Sequence, residues 1–246
     1  VQPGVVIHST NDGLFDSWDT ATVDPSGNLD YIDTSVPDDS TPLVAVWQNS
    51  TDCFGLSISR NAWAVTPNGA VYGESEFSGP PANNFGDASN LPLNRPIVGM
   101  SPTSDGQGYW LVASDGGIFT YGDAQFFGST GNIKLNQPIV GMAVTPDGGG
   151  YWLVASDGGI FTFGDAPFYG SLGSLKLNKP IEAMVATPDG KGYWMVASDG
   201  GVFCFGDATF HGSTGGMHLT APIDGLVPNG AGYTLIDANG QTYPFP

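Results

Sequence analysis

Residues Pro138 to Asn178 read PIVGMAVTPDGGGYWLVASDGGIFTFGDAPFYGSLGSLKLN, and this stretch decides the fold because it recurs. Trp110, Trp152 and Trp194 are 42 residues apart, as are Asp123, Asp165 and Asp207, and Pro96, Pro138, Pro180 and Pro222. A fixed period of this size marks stacked supersecondary units, each unable to bury its own apolar faces alone. Within one copy, Asp147-Gly148 and Asp157-Gly158 punctuate short runs of β-forming residues. Gly, and to a lesser degree Asp, tolerates positive φ, so both pairs read as hairpin turns. Four short strands follow: a, Ile139 to Thr145; b, Tyr151 to Ser156; c, Ile160 to Phe163; and d, Phe168 to Gly170. No segment carries a sustained 3.6-residue apolar period with caps, so no helix supplies a crossover and the unit is an antiparallel meander. Meanders packed side by side around an axis cover one another's faces, which predicts a β-propeller. Strand a, with Gly141 and Ala143, is small enough for the crowded innermost position.

Diverged copies flank the clean ones. Upstream, Phe54-Gly55-Leu56 aligns with Val140-Gly141-Met142, Asn61-Ala62-Trp63 with Gly150-Tyr151-Trp152, and Gly73-Glu74 with Gly164-Asp165, around an insertion near Pro80 to Ser89. Downstream, Pro222 to Phe245 supplies strands a to c. Residues 1–52 hold four further strand-like runs, Val5 to Thr10, Leu14 to Trp18, Leu29 to Asp33 and Leu43 to Gln48, which form either a sixth blade or a closing strand plus an extension. The expectation is one all-β domain over 1–246, divergent in 1–52 and clearly repeated in 53–246. Six four-stranded blades of about 42 residues are favoured by length and five are the alternative. An N-terminal strand beside Tyr243 to Phe245 would close the ring.

Composition narrows the partners. Six Lys plus Arg against 24 Asp plus Glu give a formal charge of -18, which repels phosphate backbones and anionic headgroups and argues against nucleic acid and acidic membranes. Only 12% of residues are charged, while Gly 37 and Pro 19 lack a collagen-like period, so the chain is globular and turn-rich. No apolar run approaches the ~18 residues that span a bilayer. The opening Val1-Gln2-Pro3-Gly4 lacks an initiator Met, which fits a removed leader and an extracellular or cell-surface location. Cys53 and Cys204 occupy different repeat positions and read as two free, buried thiols. Asn49-Ser50-Thr51 is a formal glycosylation sequon.

The run PIVGMA, TPDG, GYWLVASDGGIF, FGDA and FYGS, quoted from the copies above, resembles a repeat found in tandem in secreted and cell-envelope proteins of actinobacteria. The resemblance covers about residues 53–246 and extends in layout to WD40-like and NHL-like propellers. It implies a surface-located propeller with a binding role, and it carries no catalytic signature.

Candidate site residues fall into three groups. Trp63, Trp110, Trp152 and Trp194 lie on strand b, each of the last three beside a Tyr whose side chain alternation sends to the other face. Such rings act either as packing wedges between sheets or as platforms on which the apolar face of a sugar stacks in inter-blade pockets. Asp123, Asp165 and Asp207 recur in Gly-Asp-Ala, with Glu74 and Asp19 in matching slots. Bonding backbone N–H groups of a turn is their expected task. One carboxylate per blade falls short of the six to eight oxygens calcium takes, so no metal and no cofactor is expected. Finally, one slot of strand a reads Phe54, Val98, Val140, Glu182, Asp224. Two neighbouring blades there exchange an apolar residue for an acid, the pairing from which glycosidases draw their acid and their nucleophile or base. The plainer reading of both acids is a solvated channel wall. His8, His211 and His218 lack metal-ligand spacing, and no Gly-x-Ser-x-Gly elbow or nucleotide fingerprint occurs. The sequence thus points first to a non-catalytic propeller that binds glycans or another cell-surface component multivalently. An assembly subunit of an extracellular layer or filament is the second reading, and a glycan-cleaving enzyme using Glu182 and Asp224 the third.

Overall fold

The structure, a computed structural model, describes the backbone of residues 3–9, 18–23, 29–34, 43–51, 57–75, 83–229 and 231–246, and the side chains of 63–73, 83–229 and 231–246. His8, Asp19, the Asn49 sequon, Cys53, Phe54 and Glu74 lie outside the described side chains. Every described element is a strand. In chain order they are β1 (Pro3–Ser9), β2 (Trp18–Val23), β3 (Leu29–Thr34), β4 (Leu43–Thr51), β5 (Ser57–Val65), β6 (Val71–Ser75), β7 (Ile97–Pro102), β8 (Gly108–Ala113) and β9 (Ile118–Gly122). They continue with β10 (Ile139–Val144), β11 (Gly150–Ala155), β12 (Ile160–Gly164), β13 (Ile181–Ala186), β14 (Gly192–Ala197), β15 (Val202–Gly206), β16 (Ile223–Asn229), β17 (Gly232–Asp237) and β18 (Thr242–Phe245).

Each clean repeat forms its own antiparallel sheet, in the orders β7-β8-β9, β10-β11-β12, β13-β14-β15 and β16-β17-β18. β1-β4-β5-β6 forms a further sheet and β2-β3 a separate hairpin. Strands a, b and c are therefore found where the Asp-Gly turns placed them. Neighbouring sheets of the clean repeats meet through their first strands, β7 with β10, β10 with β13 and β13 with β16, and β7 also meets β4 and β1 of the further sheet, so strand a is innermost in the repeats and the all-β array has the layout of a β-propeller. Among the described residues no helix is long and apolar enough to cross a membrane.

In the sheet that carries Trp63, β4 lies beside β5, with Val46 opposite Trp63, so a segment of residues 1–52 belongs to this sheet; Phe54-Gly55-Leu56, expected as its first strand, lies outside the described residues. One expectation is corrected. The fourth strand, Phe168 to Gly170, joins no ladder, because side chains take the backbone groups that a ladder would have used. The Trp152 indole N–H donates to Pro167 O at 2.7 Å. In the next blade, the Tyr193 hydroxyl donates to Gly170 O at 2.6 Å and accepts from Tyr169 N at 3.3 Å. Gly170 has φ 141, and a Cβ there would collide with the ring of Phe205, so only glycine brings the carbonyl to this hydroxyl.

The core lies in the seams between sheets. Trp and Tyr, adjacent on strand b, point to opposite faces, so the Trp of one blade meets the Tyr of the next: Trp63–Tyr109 at 6.1 Å, Trp110–Tyr151 at 6.1 Å, Trp152–Tyr193 at 5.9 Å and Trp194–Tyr233 at 5.6 Å between ring centroids. Burying one such ring removes roughly 150–250 Å² from water. At about 25 cal/mol per Å² this is worth roughly 4–6 kcal/mol against an extended chain, several times the ~1 kcal/mol of each clamp hydrogen bond. The seams hold the sheets together, and the clamps fix the segment that covers them.

Candidate functional site

The four tryptophans are 0–2% exposed. Their indole N–H groups are all satisfied, by Asn83 O, Gln125 O, Pro167 O and Thr209 O. A sugar platform needs an open ring face, and Trp63, Trp110, Trp152 and Trp194 offer none. Their place is the packing wedge.

Exposed aromatic surface lies instead on the covering segment. Phe126, Phe168 and Phe210, again 42 residues apart, are 60, 60 and 58% exposed. Each follows the carbonyl held by its blade's Trp and precedes the residue clamped by the next blade's Tyr. The backbone on both sides is thus anchored while the ring stands in solvent. Sequence reasoning passed over these residues because alternation on a presumed strand d allowed either face. The available signal was their repetition directly beside Phe127, Tyr169 and His211. Of these neighbours, Phe127 and His211 pack edge-on against Tyr151 and Tyr233, and Tyr169 tilts against Tyr193.

The Gly-Asp-Ala aspartates, Asp123, Asp165 and Asp207, are exposed. Asp165 and Asp207 accept the hydroxyls of Thr145 and Thr187 from the a–b turn, at 3.2 and 3.1 Å, rather than the turn N–H groups expected for them. The reason is the stacking of the c–d turn on the a–b turn, where Asp165 N donates to Gly149 O at 3.1 Å and Asp207 N to Lys191 O at 3.1 Å. In the blade of β13 to β15 two carboxylates thus meet around one threonine hydroxyl. Thr187 Oγ1 lies 3.1 Å from both Asp189 and Asp207, yet its single proton serves only one of them at a time. In this blade Lys191 adds a charge, 2.8 Å from Asp189, and chiefly through that hydrogen bond holds the Asp189 carboxyl down at about 2. Gln107 and Gly149 occupy the lysine's slot in the two preceding blades.

Glu182 and Asp224 sit on neighbouring first strands, β13 and β16, each at a register shift of its ladder. Val98 and Val140 occupy the same bulge and pack into the following seam, so the backbone geometry is shared and only the side chain differs. Burial raises the Glu182 carboxyl above its ordinary range. Asp224 is pushed up to about 7, first by burial, then by the charges of Glu182 and Asp237, and one of its oxygens is buried without a hydrogen-bond partner. Asp237 is the acid that sequence reasoning missed. It replaces the alanine that pairs with the first residue of strand a in earlier blades, Ala155 opposite Ile139 and Ala197 opposite Ile181. It is 1% exposed and is held by Asn239 N, Gln241 N and the Tyr243 hydroxyl at 3.0, 2.9 and 3.2 Å. Among the described residues no three His, Cys, Asp or Glu side chains gather as metal ligands do. His211 lies 3.0 Å from Pro246 O through Nδ1, His218 is exposed, and Cys204 is free and half-buried.

The fold and these positions define an all-β protein of propeller layout whose repeated tryptophans are structural. No family model and no curated protein matches the chain. Among solved structures it is similar to the β-propeller domain of Cps50 (Swd1) from Myceliophteria thermophila, at 11% identity and a TM-score of 0.45, over 78% of this chain. The chain spans 65% of that domain's length.

Proposed function

We propose that the protein is a secreted, non-catalytic β-propeller that binds a glycan or similar repeating cell-surface polymer at several equivalent places at once. The observation that carries this reading is the repetition of a solvent-exposed phenyl ring at Phe126, Phe168 and Phe210 on anchored backbone. Packing explains a repeated buried ring, whereas a ring left mostly exposed in three successive blades costs solubility and adds little to the core. Individually weak contacts held on one rigid body raise avidity ~10²- to 10⁴-fold over a single contact when the target is polymeric. Pairing of β1 with β4 and its contact with β16 support a ring of five blades closed through β1, in place of the six that length favoured. The test is binding of the purified chain to immobilised glycans and cell-wall polysaccharides, with and without chelator. Saturable binding that resists chelator is expected, and silence across the panel removes the reading.

A second reading is favoured by Asp224, whose carboxyl at about 7 beside Glu182 is the kind of pair that serves as a general acid with a nucleophile or base. Release of new reducing ends from a polysaccharide, abolished by Glu182→Gln, would establish it over the non-catalytic reading.

A further inference from the structure

The two ends of the described blades differ in chemistry. Backbone bonds assign every turn to an end. The c–d turns stack on the a–b turns, through Asp123 N to Gln107 O, Asp165 N to Gly149 O and Asp207 N to Lys191 O. The connectors that lead from one blade to the next stack on the b–c turns, through Thr130 N to Gly116 O, Leu172 N to Gly158 O and Thr214 N to Gly200 O. Each following strand a starts at that same end, since Ile139 N donates to Ser114 O and Ile181 N to Ser156 O.

The turn end carries Asp105, Asp123, Asp147, Asp165, Asp189 and Asp207, all exposed, and one cation, Lys191, already paired with Asp189. The connector end carries Arg95, Lys134, Lys176 and Lys179, four of the six cations of the chain, all exposed. The only ion pair among the described residues is Lys191 with Asp189, so these four cations have no ion-pair partner among the described residues. The acids at the connector end are less exposed: Asp87, Asp115, Asp157 and Asp199 are half-buried, with Oδ1 held by Ser89, Gly117, Gly159 and Gly201 N–H groups, Glu182 and Asp224 are half-buried on their inner strands, and Asp237 is 1% exposed. Beside the cations stands a second exposed apolar series, Leu91, Ile133, Leu175 and Met217, 47 to 60% exposed and again 42 residues apart. Between two blades this end opens a cleft of about 270 Å³ lined by Gln137, Asp157, Leu175, Leu177, Lys179 and Pro180.

We propose that the connector end docks on the turn end of a second copy of this chain, giving a head-to-tail stack. The exposed charges of the two surfaces are opposite in sign, and both series recur in three successive blades, so a single rotational register brings several Lys–Asp pairs into place together. Desolvation of Ile133, Leu175 and Met217 adds the non-directional part. An interface joining two different faces does not close on a dimer, so copies add to both ends. The net charge of -18 opposes stacking at long range. Association is therefore strongest near the ~0.15 M ionic strength at which the Debye length is about 8 Å, and it declines toward 1 M, where contact pairs are screened as well. The stack goes beyond the glycan reading and leaves Phe126, Phe168 and Phe210 unused.

The test is sedimentation velocity on the whole chain, free of glycan, over a concentration series at ~0.15 M salt. Wild type is expected to sediment faster as concentration rises. A double variant Lys134→Glu with Lys176→Glu, and another, Asp105→Lys with Asp147→Lys, are each expected to associate at least 10-fold more weakly. An equimolar mixture of the two is expected to associate again, because each meets its complement. All four positions are exposed, and unchanged near-UV circular dichroism checks folding. A wild type that stays monomeric at its solubility limit overturns the proposal, as does a mixture that stays monomeric while wild type assembles. Monomeric wild type that binds poly-glutamate, lost in the Lys134 and Lys176 variant, overturns it too and assigns the connector end to an anionic polymer. A Phe126, Phe168 and Phe210→Ala protein still stacks, so failure of this proposal and failure of the glycan reading are separable.

Discussion

The seams and the inner slot of the propeller obey opposite rules. Along the seams Trp63, Trp110, Trp152 and Trp194 meet Tyr109, Tyr151, Tyr193 and Tyr233 with nearly constant centroid distances of 5.6 to 6.1 Å. At the inner bulge the side chain passes from Val98 and Val140 to Glu182 and Asp224 without disturbing the ladder. Close packing tolerates little change where two sheets interdigitate, whereas a bulged residue on an innermost strand is constrained mainly in its backbone. Repetition of a buried residue therefore reports on the fold. Function is to be sought where exposed residues repeat without a packing reason and where the repeat is broken.

The largest expected effect breaks the seam. Trp152→Ala removes a fully buried ring and its bond to Pro167 O, and should cost about 3–5 kcal/mol in denaturant unfolding. A fold that keeps its midpoint would remove the wedge role.

Next comes the inner slot. The folded Asp224 carboxyl binds its proton more tightly than the unfolded one, so its charge imposes no penalty below about pH 4, a growing one as pH rises toward about 7, and a constant one above that. Asp224→Asn should match wild type near pH 4 and exceed it by on the order of 3 kcal/mol near pH 8. Parallel stability curves for the two proteins would count against the buried, like-charged environment.

A milder lesion sharpens the seam. Tyr193→Phe keeps the ring but strips the clamp from Gly170 O and Tyr169 N, for about 1–2 kcal/mol. Hydrogen exchange should rise at Tyr169 and stay unchanged on β11, where an even rise in both would mean that the clamp does not act locally.

Much of this fold was legible in the chain, because a 42-residue period with Asp-Gly punctuation leaves few alternatives for strands a, b and c. Strand d was misread since the pattern Phe168 to Gly170 alternates like a strand, and nothing local reveals that Trp152 and Tyr193, 15 and 24 residues away, take its backbone groups. β4 was set apart from its sheet because its sequence lacks the repeat, although pairing depends on backbone more than on side-chain identity. The acids at 182 and 224 were visible as breaks in the period. Asp237 breaks the period in the same way, in the slot of Ala155 and Ala197, but was passed over; it binds the amides of its own turn. The exposed phenylalanines were hidden by the tryptophans, since burial is a property of neighbours that a single strand does not display.

The most direct test replaces Phe126, Phe168 and Phe210 together by Ala and compares polysaccharide binding and unfolding with wild type. The three rings are exposed, so stability should change by no more than about 0.5 kcal/mol at each position, while binding to the polymer that wild type retains should be lost. Full binding by a protein that has lost all three rings would contradict the account.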